Sequence, residues 1–182
     1  MSVVLVPLAS GFEEIEAVSI IDVLRRAGIE VVAASVNGEN EVCGAHGITI
    51  KTDKKISEIS ADMIDMIALP GGWGGTKILT QDEKVQSLIK EMDTKGKYIG
   101  AICAAPFALD QAGVLKDNFT CYPSIEEQIK HSRYDSTQKV IKDQNILTSR
   151  GPATAIDFAL EIVKLLEGEE MMQTLRNELL AN

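Results

Sequence analysis

Cys103 is the residue with the greatest chemical reach in this sequence. It stands between the run Tyr98–Ile102 and the small residues that follow, with Ala101 and Ala105 two positions to either side. That spacing meets the steric demand of a nucleophile elbow: a strained strand-to-helix turn exposes the side chain, and bulk at the flanking positions would clash. A helix starting just past the sulfur would aim its amides and dipole at it, predicting a thiol pKa below the free value of about 8.5. The competing reading is a packed, inert core cysteine, which free cysteines commonly are.

Glu16 weighs toward chemistry. It falls one turn into the first helix, just past the loop after the first strand, so it can point across a sheet edge toward Cys103. A charged carboxylate would repel a thiolate. A working pair therefore needs burial to keep Glu16 protonated, so that it donates a hydrogen bond to the sulfur and relays a proton during turnover. Glu13 and Glu14 read more simply as solvated first-turn carboxylates. Gly71 and Gly72 end another strand, where missing side chains let backbone amides approach a reacting oxygen. With the Ala104 amide they would form an oxyanion hole, or else merely a tight turn.

Other residues fit weaker patterns. Gly71-Gly72-Trp73-Gly74-Gly75 suggests a phosphate cradle, but G-x-G-x-x-G is absent and Lys77 lacks the Walker arrangement, so nucleotide binding is not expected. Arg150-Gly151-Pro152 starts a helix and either sets a turn or closes a pocket. Cys43 and His46 have C-x-x-H spacing, but two ligands do not make a zinc site; no metal is expected, and a hairpin or dimer-contact role is the default. His131, beside Lys130 and Arg133, reads as exposed. Cys121 reads as a packed thiol, with resolution of a sulfenic acid at Cys103 as the alternative. Trp73 lines a pocket rim or covers apolar surface.

The elements that must position these groups follow from hydrophobic periodicity. Val3 to Leu8 is a continuous apolar run, a strand buried on both faces. Ile20, Val23, Leu24 and Ala27 then recur at helical spacing, with acids in the first turn, Arg25 and Arg26 in the last, and Gly28 as the stop. Ile29 to Val36 is a second strand, completing a βαβ unit. Glu41 to Cys43 and Ile48 to Lys51 form a small hairpin excursion through Gly44-Ala45-His46-Gly47. Met63 to Leu69 is a strand broken by Pro70-Gly71-Gly72, and Thr80-x-x-Glu83 is a capping box opening a helix toward Lys95. Tyr98 to Ile102 is a strand, and Ala104 to Ala112 a helix stopped by Gly113. Val140-Ile141 and Ile146 to Thr148 flank a polar turn at Asp143-Gln144-Asn145. Pro152 opens a helix with a core-facing stripe of Ile156, Ala159, Leu160 and Val163, and Met172, Leu175 and Leu179 mark a last, shorter helix. Strands alternating with helices over residues 1–182 predict one domain, an open doubly wound α/β sandwich with a mostly parallel sheet. Ligands bind outside the carboxyl ends of such strands, so the loops after Leu8, Leu69, Ile102 and Ser149 share one edge.

Composition bounds the partners. A net charge of −9 in 182 residues leaves no basic field to neutralise phosphates, which argues against general nucleic-acid binding. No apolar run is long enough to span a bilayer, and the amino terminus has no charged n-region, so no membrane partner and a cytoplasmic location are expected. Three cysteines without C-x-x-C spacing suit free thiols in a reducing compartment better than a disulfide scaffold.

Across nearly its full length the chain resembles the DJ-1/PfpI superfamily, in particular the clade of its parkinsonism-associated member and bacterial homologues. The resemblance rests on Gly11-Phe12-Glu13-Glu14-Ile15-Glu16, Arg25-Arg26-Ala27-Gly28, Leu69-Pro70-Gly71-Gly72, Ala101-Ile102-Cys103-Ala104-Ala105-Pro106 and Leu147-Thr148-Ser149-Arg150-Gly151-Pro152. It implies a flavodoxin-like sandwich and a homodimer, with Cys103 reactive, Glu16 its protonated partner, and Gly72 and Ala104 the backbone donors. It places Gly71, Tyr122, Arg26, Arg150 and Pro152 around the pocket. The implied activity needs no cofactor: glyoxalase conversion of methylglyoxal to lactate, or deglycase removal of early glyoxal adducts from proteins or nucleotides. The alternative is a non-catalytic redox sensor or chaperone that uses oxidation of Cys103. Some positions depart from the family pattern. Tyr122 stands where human-type members carry a pocket histidine, and a phenol is a poor proton carrier near neutral pH. The second anion-pocket arginine is replaced around Ala45-His46, leaving Arg26 to hold charge near an oxidised Cys103. Ala104 follows the cysteine where protease-like members have histidine, so a Cys-His protease triad is not expected.

Overall fold

The structure is a computed structural model describing residues 1–130 and 133–181. His131 lies outside the described residues.

The first strand, β1 (Val3–Leu8), carries side chains that are almost all buried and pairs on both edges, as an apolar run without alternation requires. After α1 (Glu14–Arg26), strand β2 (Glu30–Ser35) runs parallel to β1. The chain then leaves the sheet for an antiparallel hairpin, β3 (Glu41–Cys43) and β4 (Thr49–Lys51), and returns by a short edge strand, β5 (Lys54–Lys55). Strand β6 (Met66–Leu69), helices α2 (Trp73–Gln81) and α3 (Glu83–Thr94), strand β7 (Tyr98–Ile102) and helix α4 (Pro106–Gln111) follow. Short β8 (Asn118–Phe119) and β9 (Arg133–Tyr134) pair with each other, beside a second hairpin, β10 (Val140–Asp143) and β11 (Ile146–Ser149). Helices α5 (Ala155–Glu167) and α6 (Glu169–Glu178) close the chain.

The main sheet runs β10-β11-β7-β6-β1-β2-β5, parallel except where β10 meets β11. The flavodoxin-like α/β sandwich and hairpin excursion read from the sequence are what the chain forms. From β1 the chain moves to β2 on one side and later to β6 on the other, so β1 and β6 flank a switch point whose crevice opens at their carboxyl ends. The loops leading to Glu16 and to Gly71-Gly72 both start there.

Four details of the sequence reading change. Thr80 is not a cap: it lies inside α2, its hydroxyl donating to the Lys77 carbonyl at 2.7 Å, while Asp82 caps α3 by accepting from the Val85 amide at 2.9 Å. Trp73-Gly74-Gly75, whose composition suggests a phosphate cradle, forms the first turn of a helix, α2, that the sequence reading does not place. Met63 sits in a 3-10 turn before β6 and is half exposed, because the strand begins only at Met66. Ile156 is exposed, and the buried residues of α5 are Ala155, Phe158, Ala159, Leu160, Ile162 and Val163, so Ala159, Leu160 and Val163 face the core as read; the helix starts after a 3-10 turn at Pro152–Thr154.

Candidate active site

Glu13 sets the site's geometry. Its backbone is extended at the N-cap of α1, and Oε2 accepts from the Glu16 amide at 2.8 Å, satisfying a donor that the helix cannot. The first turn then carries the Glu16 side chain inward to zero exposure. Its Oε2 accepts from the Gly71 amide at 2.7 Å, while Oε1 is buried with no N–H or O–H donor and the Cys103 thiol beside the carboxyl.

Cys103 follows β7 with φ of +64°, one of few described non-glycine residues in the left-handed region. Such a conformation costs on the order of 1–3 kcal/mol and persists only where surroundings enforce it. Backbone bonds do so here: the Cys103 amide donates to the Ser149 carbonyl at 3.0 Å, and its carbonyl accepts from the Tyr122 amide at 2.8 Å. Gly71 is what allows the close approach, since a Cβ there would lie 2.6 Å from the Cys103 Cβ and 2.8 Å from Glu16 Oε2. Gly72, at φ of +83°, packs against the Gly11 carbonyl and has no room for a side chain.

Burial pushes the Glu16 carboxyl up to about 7, against the Gly71 amide and the Cys103 thiol, both of which favour the charged form. The burial that the sequence reading required of Glu16 is present. The expected low thiol pKa is not. Burial first, then the Glu16 charge, raises the Cys103 thiol above its ordinary value, outweighing the Gly72 and Ala104 amides that donate to the sulfur. The helix that was to supply a dipole is short and starts only at Pro106, beyond a turn. The charge and the hydrogen bond by which Glu16 raises the thiol belong to its carboxylate form and vanish when it is neutral. Carboxyl and thiol thus titrate as a coupled pair over one shared proton.

Cys103, 8% exposed, lines a cavity of about 470 Å³. Its walls include Ala104, Tyr122 and Pro152, as the sequence placed them, and Trp73 at the rim, tilted against Phe107 with ring centroids 5.7 Å apart. Glu13, His46, Ser124, Ile125 and Gln128 complete it. The last three are contributed by the irregular segment after Tyr122, which carries no periodicity to read. His46 reaches the wall through a contact with Glu14 that spans 32 positions, a separation no local pattern reveals.

Several site residues stand elsewhere than expected. Arg26 does not line the cavity of its own chain. It ends α1, about ten residues or ~15 Å along the axis from Glu16, half exposed and paired with Asp22 at 2.8 Å. Arg150 borders an adjoining cavity of about 240 Å³ behind Tyr122 and Pro152, its Nη1 donating to the Ser136 carbonyl at 2.7 Å. Glu13 and Glu14 are buried, not solvated, because the hairpin loop folds over them. Cys121 is fully buried, and burial raises its thiol to about 12, which suits a packed cysteine. Cys43 is exposed, with its sulfur 3.6 Å from the Gly44 carbonyl rather than beside the His46 ring's partners. Glu13, Glu14 and His46 offer ligand atoms within 4.8 Å of one another. Glu14, however, already accepts from the His46 amide at 2.5 Å and the His46 ring at 2.8 Å, so the trio is a hydrogen-bonded cluster with its lone pairs largely committed.

Comparison with known proteins fits this arrangement. The profile of the DJ-1/PfpI family matches residues 2–165. Protein dj-1beta of Drosophila melanogaster is 40% identical over 178 residues, covering 97% of this chain and 95% of its own. The glutathione-independent glyoxalase DJR-1.2 of Caenorhabditis elegans is 35% identical over 164 residues, covering 90% and 87%. Among solved structures, Drosophila DJ-1beta superposes with a TM-score of 0.95 over 99% of this chain and 98% of its own. Oxidised Toxoplasma gondii DJ-1, 38% identical, gives 0.94 over the same shares. With a matching profile, full-length relatives and the same sheet, the chain belongs to the DJ-1/PfpI family.

Proposed function

We propose that this protein is a cofactor-independent glyoxalase with Cys103 as nucleophile, acting on small 2-oxoaldehydes such as methylglyoxal or on their early adducts with proteins and nucleotides. The observation that carries the reading is the buried Glu16 carboxyl, raised to about 7 beside a thiol on a strained elbow. The relative named a glutathione-independent glyoxalase supports it.

In this reading the thiol proton passes to Glu16 and the thiolate adds to the aldehyde carbon. The resulting oxyanion meets the Gly72 and Ala104 amides, which already converge on the sulfur. Glu16 returns its proton to that oxygen, then takes the hydrogen of the former aldehyde carbon and delivers it to the neighbouring carbonyl carbon. The hydroxyl proton on the first carbon moves to the second oxygen. One carbon is oxidised and its neighbour reduced by the same two electrons, leaving a 2-hydroxyacyl thioester on Cys103 that water hydrolyses. Cys103→Ala should abolish lactate formation from methylglyoxal, and Glu16→Gln should retain thiol alkylation while losing turnover. Undiminished lactate from Cys103→Ala would overturn the reading.

The oxidised form of the Toxoplasma relative favours a second use of the same sulfur, as an oxidation sensor. Graded peroxide followed by intact mass should then modify Cys103 before the exposed Cys43; uniform oxidation of all thiols counts against it. We also infer a homodimer. Ile15 and Val18, one turn apart on α1, and Ile48 beside the hairpin are exposed apolar residues that a second copy would cover. Sedimentation at micromolar concentration, with Ile15→Glu as the disrupting variant, tests this.

A further inference from the structure

Glu14 is a buried carboxylate that the chemistry above leaves unused. It is 4% exposed, and the hairpin loop is built around it. Oε1 accepts from the His46 amide at 2.5 Å and the Ile48 amide at 3.4 Å, and Oε2 meets His46 Nδ1 at 2.8 Å. A Cβ at Gly44 would lie 2.6 Å from the Glu14 Cγ, so the loop fits only with glycine there. Burial raises the Glu14 carboxyl, but the His46 ring and the amides outweigh it and hold the group below its ordinary value. Glu14 is therefore an anionic acceptor, Nδ1 carries the proton, and in neutral His46 the lone pair falls on Nε2.

That ring forms part of the wall of the Cys103 cavity. The cavity's other acid-base groups are poorly suited to activating water. Glu16 is sealed beside the sulfur with one oxygen on Gly71. Tyr122 offers only a phenol, a poor proton carrier near neutral pH. Glu13 spends Oε2 capping α1, and its Oε1 lies 4.0 Å from His46 Nδ1, adding negative charge on the protonated side of the ring.

We propose that His46, oriented by Glu14, is the general base that takes a proton from the water hydrolysing the acyl-Cys103 thioester. This rests on the covalent reading of the preceding section. Nε2 accepts the proton, the water oxygen bonds to the thioester carbon, and the carbon–sulfur bond breaks with its electron pair on Cys103. The products are the 2-hydroxyacid and the thiolate, which regains a proton from the imidazolium. Glu14 is a positioning residue: it fixes the tautomer and turns Nε2 away from itself.

The Glu14 hydrogen bond and charge raise His46 above its usual pKa, with burial opposing and Glu13 assisting. Glu13 and Glu14, at the start of α1, lie against the ring, Cys103 and Tyr122 share the cavity's lining with it, and Glu16 lies buried beside the sulfur. A base acts when deprotonated, so deacylation should accelerate as pH rises through the His46 pKa and then level off.

Rapid acid quench and intact mass during methylglyoxal turnover test the proposal. In His46→Gln, acyl-Cys103 should accumulate behind a burst of one equivalent, deacylation should slow by on the order of 10²-fold, and its pH inflection should vanish. Added imidazole should restore deacylation to His46→Ala. Glu14→Gln should move the inflection to lower pH. Deacylation in His46→Gln at the wild-type rate with the wild-type inflection would overturn it, as would His46→Ala deaf to imidazole. If Cys103→Ala still yields lactate, the covalent reading itself has failed, and this proposal fails with it by a separable result.

Discussion

Replacing Glu16 by glutamine should stabilise the fold, and increasingly so as pH rises. The carboxyl is carried from an ordinary value of 4.5 to about 7 inside the protein, mainly by burial. Between those values the folded chain holds a proton that the unfolded chain has released, so rising pH favours unfolding; above about pH 7 the penalty is complete. Each tenfold change in acidity is worth about 1.4 kcal/mol, giving a full penalty of about 3 kcal/mol. Only part of it has developed near pH 5, leaving about 2–3 kcal/mol between there and pH ~8.5. Glutamine is uncharged throughout, keeps an oxygen for the Gly71 amide and offers an N–H toward the sulfur. Urea unfolding of both proteins at the two pH values, at one fixed protein concentration, reads this pair, because groups other than Glu16 and its partner Cys103 cancel in the difference. For a chain of this size the gain corresponds to about 5–10 °C in Tm at the higher pH. A stability difference that is the same at both pH values would refute the reasoning, since it would mean Glu16 is not held neutral by its surroundings.

The same pair predicts the thiol's behaviour: in Glu16→Gln, Cys103 alkylation should reach half its limiting rate at lower pH than in wild type, because a raising charge has gone. Iodoacetamide kinetics with exposed Cys43 as internal control measure this, and an upward shift would contradict it. Gly71→Ala should suppress Cys103 alkylation and lower stability by on the order of 1–3 kcal/mol, because its methyl would overlap the Cys103 Cβ and displace Glu16. Asp82→Ala should cost about 1 kcal/mol in urea unfolding through loss of the α3 cap, and Thr80→Ala markedly less.

The sheet was readable because buried parallel strands leave unbroken apolar runs: β1 and β7 coincide with theirs. The elbow was readable for a similar reason, since only small residues fit around Cys103 and the sequence has them. Cap positions were less so. Thr80 and Asp82 both suit a helix start, and the choice falls to Asp82 only because α2 ends at Gln81. Glu13, Glu14 and Glu16 look alike as letters. Their three fates, cap, hairpin anchor and thiol partner, depend on His46 and Gly71, which the chain brings in from the hairpin and from β6. Arg26 was placed at the cavity by resemblance, yet helix rise alone carries it to the far end of α1.

The bond from the Cys103 amide to the Ser149 carbonyl bears on the order in which the protein is made. The cysteine leaves the ribosome well before β11, the strand that fastens its backbone from behind. Until that strand docks, the elbow lacks one of the two backbone bonds that hold its left-handed turn, the other coming from the Tyr122 amide. The geometry at this sulfur is therefore completed late, as a property of the finished sheet, and the accessibility of Cys103 to a thiol reagent can serve as a clock for the final step of assembly.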